Sequence, residues 1–199
     1  GSGKYRIDGV PRMRQRPIQD LLDGLSELGV DATPEMSNGC PPLSIVADGI
    51  EGGSTSLSGN QSSQYLTALL LVSPYATGNV DIRIDGTLVS TPYIDMTLQI
   101  MREFGVEVVN QDYKRFIIEA GQHYRSQDYP IEPDASNASY FFGAAALTGG
   151  RVKILGIPPT SVQGDMGFVK ILEQMGCQVE ESCHDVEVMG PNKLNGLDT

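Results

Sequence analysis

The sequence predicts an α/β fold assembled from repeated βαβαββ units, with helices buried inside a shell of short sheets. Three observations predict it. A helix, glycine, strand succession occurs three times; two strongly apolar helices open with matching serine-containing segments; and short β-rich stretches follow.

The first repeat is carried by Leu25-Ser26-Glu27-Leu28-Gly29-Val30-Asp31, Met101-Arg102-Glu103-Phe104-Gly105-Val106-Glu107 and Leu172-Glu173-Gln174-Met175-Gly176-Cys177-Gln178. Each closes an apolar periodic stretch with a glycine, which accepts the left-handed conformation that ends a helix before a strand. The expected buried stripes are Ile18, Leu21, Leu22, Leu25 and Leu28; Ile94, Leu98 and Met101; and Phe168, Ile171, Leu172 and Met175. After the glycines, Val106 to Val109 with Phe116 to Glu119, and Cys177 to Glu180 with Val186 to Met189, read as hairpin or neighbouring strands.

The second repeat pairs Ser62-Ser63-Gln64-Tyr65 with Ser136-Asn137-Ala138-Ser139-Tyr140. Each opens a helix apolar nearly all round, and such a helix is expected to be buried. A strand follows each, Val80 to Ile84 and Arg151 to Leu155, and then a helix containing Asp95-Met96 or Asp165-Met166. The resulting unit recurs about every 70 to 75 residues. The polar segment before Pro133, with Tyr129-Pro130 and Glu132-Pro133, is the expected domain crossing, which divides the chain into residues 1–131 and 132–199.

The chain of 199 residues is 40% hydrophobic, ordinary for a globular protein, and carries a formal net charge of -11. That charge argues against binding to nucleic acid or an anionic membrane, while leaving room for a small anionic ligand gripped by local donors. No apolar run is long enough to span a membrane and no leader is visible. Cys40, Cys177 and Cys183 form neither a disulfide framework nor a zinc pattern, and Cys183-His184 reads as a surface hairpin. A reducing compartment and no metal are expected.

Arg12, Arg14 and Arg16 stand at alternate positions, as on a solvated basic strand or turn, or as part of an anion site. Ser62 or Ser63 can cap the helix that follows. Alternatively, a helix N-terminus with two hydroxyls can hold a phosphate, with Gln64 donating to one ligand and accepting from another. Ser90, directly before Thr91-Pro92-Tyr93, offers the same two readings, because proline in a first turn marks a helix start.

Asp8-Gly9-Val10-Pro11-Arg12-Met13-Arg14-Gln15-Arg16-Pro17-Ile18 resembles the arginine-rich segment of 5-enolpyruvylshikimate-3-phosphate synthases. Ser62 to Leu70, Ser90 to Leu98 and Asp134 to Tyr140 resemble three further segments of that family, in the same order. The resemblance spans essentially the whole chain. It implies two domains of inverted α/β repeats of the enolpyruvyl transferase type, with the active site in the cleft between them.

The activity implied is transfer of the enolpyruvyl group of phosphoenolpyruvate to the 5-hydroxyl of shikimate 3-phosphate, with release of phosphate and no cofactor. By resemblance, Ser62, Ser63, Gln64 and Ser90 hold shikimate 3-phosphate, Arg12 and Gln64 meet phosphoenolpyruvate, and Tyr93 and Asp134 support the site or serve packing. A planar guanidinium suits that task because it binds carboxylate or phosphate in a bidentate manner. Gln15, Gln19 and Asn137 depart from residues common in the family, at positions that are not proposed ligands.

The family's lysine and glycine-rich segment would precede residue 1, and its catalytic aspartate and later basic residues would follow Thr199. The chain is therefore expected to be a central fragment, inactive alone, that needs the remainder of a parent chain to complete the site. A cytoplasmic location is expected, with a plastid the alternative for a plant or algal protein. Two other readings stand beside this one: a UDP-N-acetylglucosamine enolpyruvyl transferase, and a non-catalytic repeat module used for interaction.

Overall fold

Three glycines set the rhythm of the chain. Gly29, Gly105 and Gly176 have φ of 86, 88 and 98°. The residue after each donates its N–H back five positions: Val30 to Leu25 (3.0 Å), Val106 to Met101 (2.8 Å) and Cys177 to Leu172 (3.0 Å). This is the helix-ending geometry in which a left-handed glycine lets the next N–H satisfy an orphan carbonyl and its side chain turn inward. Val30, Val106 and Cys177 are accordingly all buried. The second hairpin starts at Val109, later than expected, because Val106 is engaged in ending the helix.

The computed structural model describes residues 1–197. The chain divides into two compact units, Gly1–Gln127 and Asp128–Thr199. In the first unit, β1 (Ser2–Ile7) is followed by α1 (Gln19–Glu27) and the hairpin β2 (Asp31–Pro34) and β3 (Leu43–Asp48), giving an antiparallel sheet of order β1-β3-β2. Next come β4 (Gly53–Ser58), α2 (Ser63–Val72), β5 (Val80–Asp85), α3 (Thr91–Glu103), β6 (Val109–Gln111) and β7 (Arg115–Ile118). Their sheet has the order β4-β5-β7-β6. β4 and β5 are parallel and joined through α2, as a parallel pair requires a crossover.

In the second unit, α4 (Ala135–Thr148), β8 (Arg151–Leu155), α5 (Gly167–Gln174), β9 (Gln178–Glu181) and β10 (Asp185–Met189) form the sheet β8-β10-β9 with its helices. All three sheets share one plan: a strand pairs antiparallel with the far strand of the hairpin that follows its helix. Among the described residues the full βαβαββ unit occurs once, from β4 to β7. Its counterpart starts at α4, since residues 122–134 contain no strand.

The core of the first unit joins Leu66, Leu69 and Leu70 of α2 with Ile94 and Met101 of α3 and with Val80, Ile82 and Phe116 of the sheet. A smaller cluster of Leu22, Val30, Ala32 and Leu43 lies under α1. In the second unit, Ala138, Phe142 and Ala146 of α4 pack with Leu172 of α5 and Val186 and Val188 of β10.

Two expectations need correction. Ile171 is exposed, and Val169 is buried beside Leu172 instead. The inward arc of α5 is centred on Leu172, and each step along a helix turns the side chain by about 100°, which carries Ile171 out of it. Neither α2 nor α4 is buried all round: Gln64 and Leu71 of α2 are exposed, and Tyr140, Phe141 and Leu147 of α4 face outward. One helix and one sheet cover α4 within its unit, so only one side of it is buried. Among the described residues no helix is long and apolar enough to cross a membrane.

Candidate functional site

Two helix starts converge on one cavity. α2 and α3 pack against each other, and a cavity of about 830 Å³ lies along them, from their N-termini to Leu71 and Ile100. Ser62, Ser63 and Gln64 line it from α2, Ser90 and Tyr93 from α3, and Arg16 from the segment before α1. Thr67, Met96, Thr97 and Ile100 extend the wall.

Ser62 is the N-cap of α2: its Oγ accepts from the Gln64 N–H at 3.2 Å. Accepting that bond leaves the hydroxyl proton free to be donated, so capping and ligand binding are compatible in one side chain. Ser63 is only 8% exposed, in the first turn, where unpaired N–H groups and the helix dipole favour an anion. Gln64 is exposed beside it.

Ser90 behaves differently. It precedes α3 with φ 59 and ψ 44°, the left-handed region, and its side chain makes no capping bond. Serine rarely adopts that conformation, and strained residues of this kind gather at functional sites. The capping expectation for Ser90 is therefore corrected: its hydroxyl is not used to close the helix. Pro92 stands in the first turn of α3, as expected.

Behind the cavity, Thr97 Oγ1 donates to the Tyr93 carbonyl oxygen at 2.7 Å, and the Thr67 and Thr97 hydroxyls meet at 3.1 Å. With its proton committed to Tyr93, Thr97 accepts from Thr67, and the bridge fixes α2 against α3. Tyr93 is half exposed at the cavity wall, so its ring is not packing between helices.

The arginines separate. Arg14 donates to Asp8 at 2.8 and 2.7 Å, which with the Gly9 N–H holds the Asp8 carboxyl at about 2, and Arg6 bridges Asp8 and Glu35. Arg12 opens a 3₁₀ turn over Met13–Gln15 and is not among the cavity-lining residues, whereas Arg16 is. The segment is a turn rather than a strand, which breaks the alternate-residue geometry suggested by the spacing. Among the described residues Arg16 forms no ion pair, so its charge is available to a ligand.

Asp134 lies in the second unit, where it caps α4. Its Oδ1 accepts from the N–H groups of Ser136 (2.8 Å) and Asn137 (3.2 Å), and its Oδ2 from the Asn137 amide at 2.7 Å. Cys40 and Cys177 are buried thiols, with burial pushing Cys177 up, and Cys183 is exposed in the β9–β10 turn. Sequence reasoning missed Thr67 and Thr97, and named Arg16 only as one of three alternating arginines. The signal for the threonines was their helical spacing from Ser63 and Tyr93, one turn further along each helix.

The family model for EPSP synthase (3-phosphoshikimate 1-carboxyvinyltransferase) matches residues 1–199. Proteins named 3-phosphoshikimate 1-carboxyvinyltransferase are similar to the chain. That of Nostoc punctiforme is 48% identical over 198 residues, covering 100% of this chain and 46% of its own length. That of a Sulfurovum species is 53% identical over 181 residues, 90% of this chain and 42% of its own. The chain thus spans about half the length of the curated relatives it matches. A solved structure of EPSP synthase from Acinetobacter baumannii matches with TM-score 0.74 and 25% identity, over 98% of this chain and 44% of that one. The repeats, the ordered segments and these matches agree, and the chain belongs to the EPSP synthase family.

Proposed function

We propose that this chain carries the shikimate 3-phosphate-binding part of an enzyme that transfers the enolpyruvyl group of phosphoenolpyruvate to the substrate's 5-hydroxyl and releases phosphate. The observation that carries the reading is the convergence of Ser62, Ser63, Gln64, Ser90 and Arg16 on one cavity. Ser62, Ser63 and Ser90 hydroxyls donate to the 3-phosphate, helped by the α2 N-terminus. Gln64 bridges the two substrates, and Tyr93 borders them.

Arg16 lines the cavity from the segment before α1, and the arginine that meets phosphoenolpyruvate is Arg12, as the resemblance implies. The Arg12 guanidinium pairs with the carboxylate or phosphate of phosphoenolpyruvate, offsetting the charge of two anions brought together. In the reaction, the 5-hydroxyl gives up its proton to a base as its oxygen bonds to C2 of phosphoenolpyruvate, and the methylene carbon of phosphoenolpyruvate gains a proton. The tetrahedral adduct then loses phosphate and a methyl proton, which restores the double bond. The groups that move those protons belong, in this reading, to the half of the relatives' length that this chain does not span, and the chain alone is inactive. Residues 1–131 form most of the first substrate-binding domain and 132–199 part of the second. The enzyme is cytoplasmic and needs no cofactor or metal.

The test is titration calorimetry with the full-length protein, comparing shikimate 3-phosphate with UDP-N-acetylglucosamine, together with a phosphate-release assay. Binding of the nucleotide sugar alone, or unchanged rates in Arg12→Ala and Ser62→Ala/Ser63→Ala, overturns the reading.

A further inference from the structure

We propose that Gly59 and the Thr67–Thr97 pair are positioning residues that hold the starts of α2 and α3 at the separation one phosphate requires; the proposal rests on the functional reading of the cavity above. Ser62 and Ser63 belong to one helix start and Ser90 to the other. A hydroxyl donates to a charged oxygen over only about 2.5–2.7 Å, so three hydroxyls meet one phosphate only if the two loops that carry them are fixed to each other.

The first tie is made by backbone. Gly59, in the loop between β4 and α2, donates its N–H to the Asp85 carbonyl oxygen at 2.9 Å, and its own carbonyl oxygen accepts from the Val89 N–H at 3.0 Å. One residue of the β4–α2 loop thus holds both ends of the β5–α3 loop, and Val89 directly precedes Ser90. Between those bonds the chain arches closely over Gly59. A Cβ there would stand 2.7 Å from the Thr87 carbonyl oxygen and 2.9 Å from Ile84 Cγ2, well inside van der Waals contact, so only glycine admits this approach. The anchored Val89 also accounts for Ser90 at φ 59°, since strained backbone persists where its surroundings over-determine it.

The second tie lies one turn further in. Thr67 follows Ser63 by four residues and Thr97 follows Tyr93 by four, which places each threonine on the same helix face as the cavity-lining residue before it. Their hydroxyls meet at 3.1 Å, with Thr97 only 8% exposed, and breaking such a bond leaves a buried acceptor without its partner. Tied at the mouth and again one turn below it, α2 and α3 cannot splay, and the Ser90 hydroxyl keeps its place relative to Ser62 and Ser63.

The experiment is titration calorimetry and steady-state kinetics of the full-length protein with Gly59→Ala, Thr67→Val and Ser90→Ala, and with each of the first two combined with Ser90→Ala. A methyl group at Gly59 has to push the β5–α3 loop back by about 1 Å. Gly59→Ala is therefore expected to weaken shikimate 3-phosphate binding about 10- to 100-fold, as for one lost hydrogen bond to a charged group. Thr67→Val keeps the shape and removes one neutral bond, for about three- to tenfold, while Thr67→Ser keeps the hydroxyl and should bind as the parent does. KM for phosphoenolpyruvate, at saturating shikimate 3-phosphate, is expected to stay within about twofold. In the Ser90→Ala background only the α2 end grips the phosphate, and neither substitution should then add more than about twofold.

Full affinity in Gly59→Ala or Thr67→Val, an equal rise in KM for phosphoenolpyruvate, a loss in Thr67→Ser as large as in Thr67→Val, or a loss that persists in the Ser90→Ala background overturns the proposal. Ser90→Ala with unaltered affinity for shikimate 3-phosphate instead overturns the reading of the cavity, and that single variant separates the two failures. Should Gly59→Ala not fold, the Thr67 variants, which leave the loop contact intact, decide the question.

Discussion

Helices α2 and α4 start from similar segments and end up in different situations. In α2, Leu66, Leu69 and Leu70 are fully enclosed between α1, α3 and the four-stranded sheet. In α4, Phe142 and four alanines are buried, while Tyr140 is 77% and Leu147 79% exposed. The helix starts differ too. The α2 start is closed by a single Ser62 contact and opens on a cavity, whereas Asp134 takes two backbone N–H groups and an amide of α4, and Ser136 is tied to Asp165 at 2.5 Å. An apolar helix therefore has its burial set by the number of layers around it, and a helix start becomes a ligand site only where its own residues leave donors unspent.

The comparison breaks first on burial. Leu69→Ala is expected to destabilise by about 2–5 kcal/mol, since it leaves a cavity in a close-packed core. Leu147→Ala should stay within about 0.5 kcal/mol, since its side chain is mostly in water. Urea unfolding of the 199-residue chain measures both. Equal losses would mean that α4 is as enclosed as α2.

The helix starts are compared by ligand affinity. Ser62→Ala/Ser63→Ala in the full-length protein should weaken shikimate 3-phosphate binding about 100-fold, from two hydrogen bonds to a charged group. Ser136→Ala should leave it within about twofold. In calorimetry, parity between the two would assign no special role to the α2 start.

A smaller effect is expected for Asp134→Ala, about 1 kcal/mol from a lost cap, visible as a lower thermal midpoint without a change in shikimate 3-phosphate affinity. Loss of affinity with the midpoint kept would give Asp134 a ligand role instead.

The outer faces of the sheets sharpen the comparison through pH. Arg115 donates to Asp81 at 2.9 and 2.7 Å, and these bonds, opposed by burial, hold the carboxyl below its ordinary 3.8. In the second unit, Asp185 is lowered first by the Gly156 N–H and then by Lys153. A depressed folded pKa means that the unfolded chain binds the proton first. Each pair's contribution is therefore complete above about pH 4 and disappears as pH falls through the folded value. Urea midpoints of the parent and of Asp81→Asn and Asp185→Asn should differ at pH 6 and converge toward pH 2. A gap that persisted at pH 2 would remove the carboxylates as its cause.

Much of the fold was legible because its signals are local. The three glycine caps, the alternation of Val80, Ile82 and Ile84 and the helical stripe of α1 all follow from backbone conformation and side-chain period within a few residues. The site was legible in part, for the same reason: serines before apolar runs announce helix starts. The alternate spacing treats Arg12 and Arg16 alike, and only the 3₁₀ turn over Met13–Gln15 sets them apart, with Arg16 lining the cavity.

The sequence by itself determined the repeat, the helix ends and the identity of the donors that a phosphate would need, since these depend on local conformation and residue chemistry. Tertiary structure decided the rest. It decided which helix is the more enclosed, which arginine lines the cavity, that Ser90 leaves its hydroxyl uncommitted, and that the loops before α2 and α3 are tied together at Gly59. Each of these depends on how many layers pack around an element or on contacts between distant segments, and no pattern within one segment encodes them.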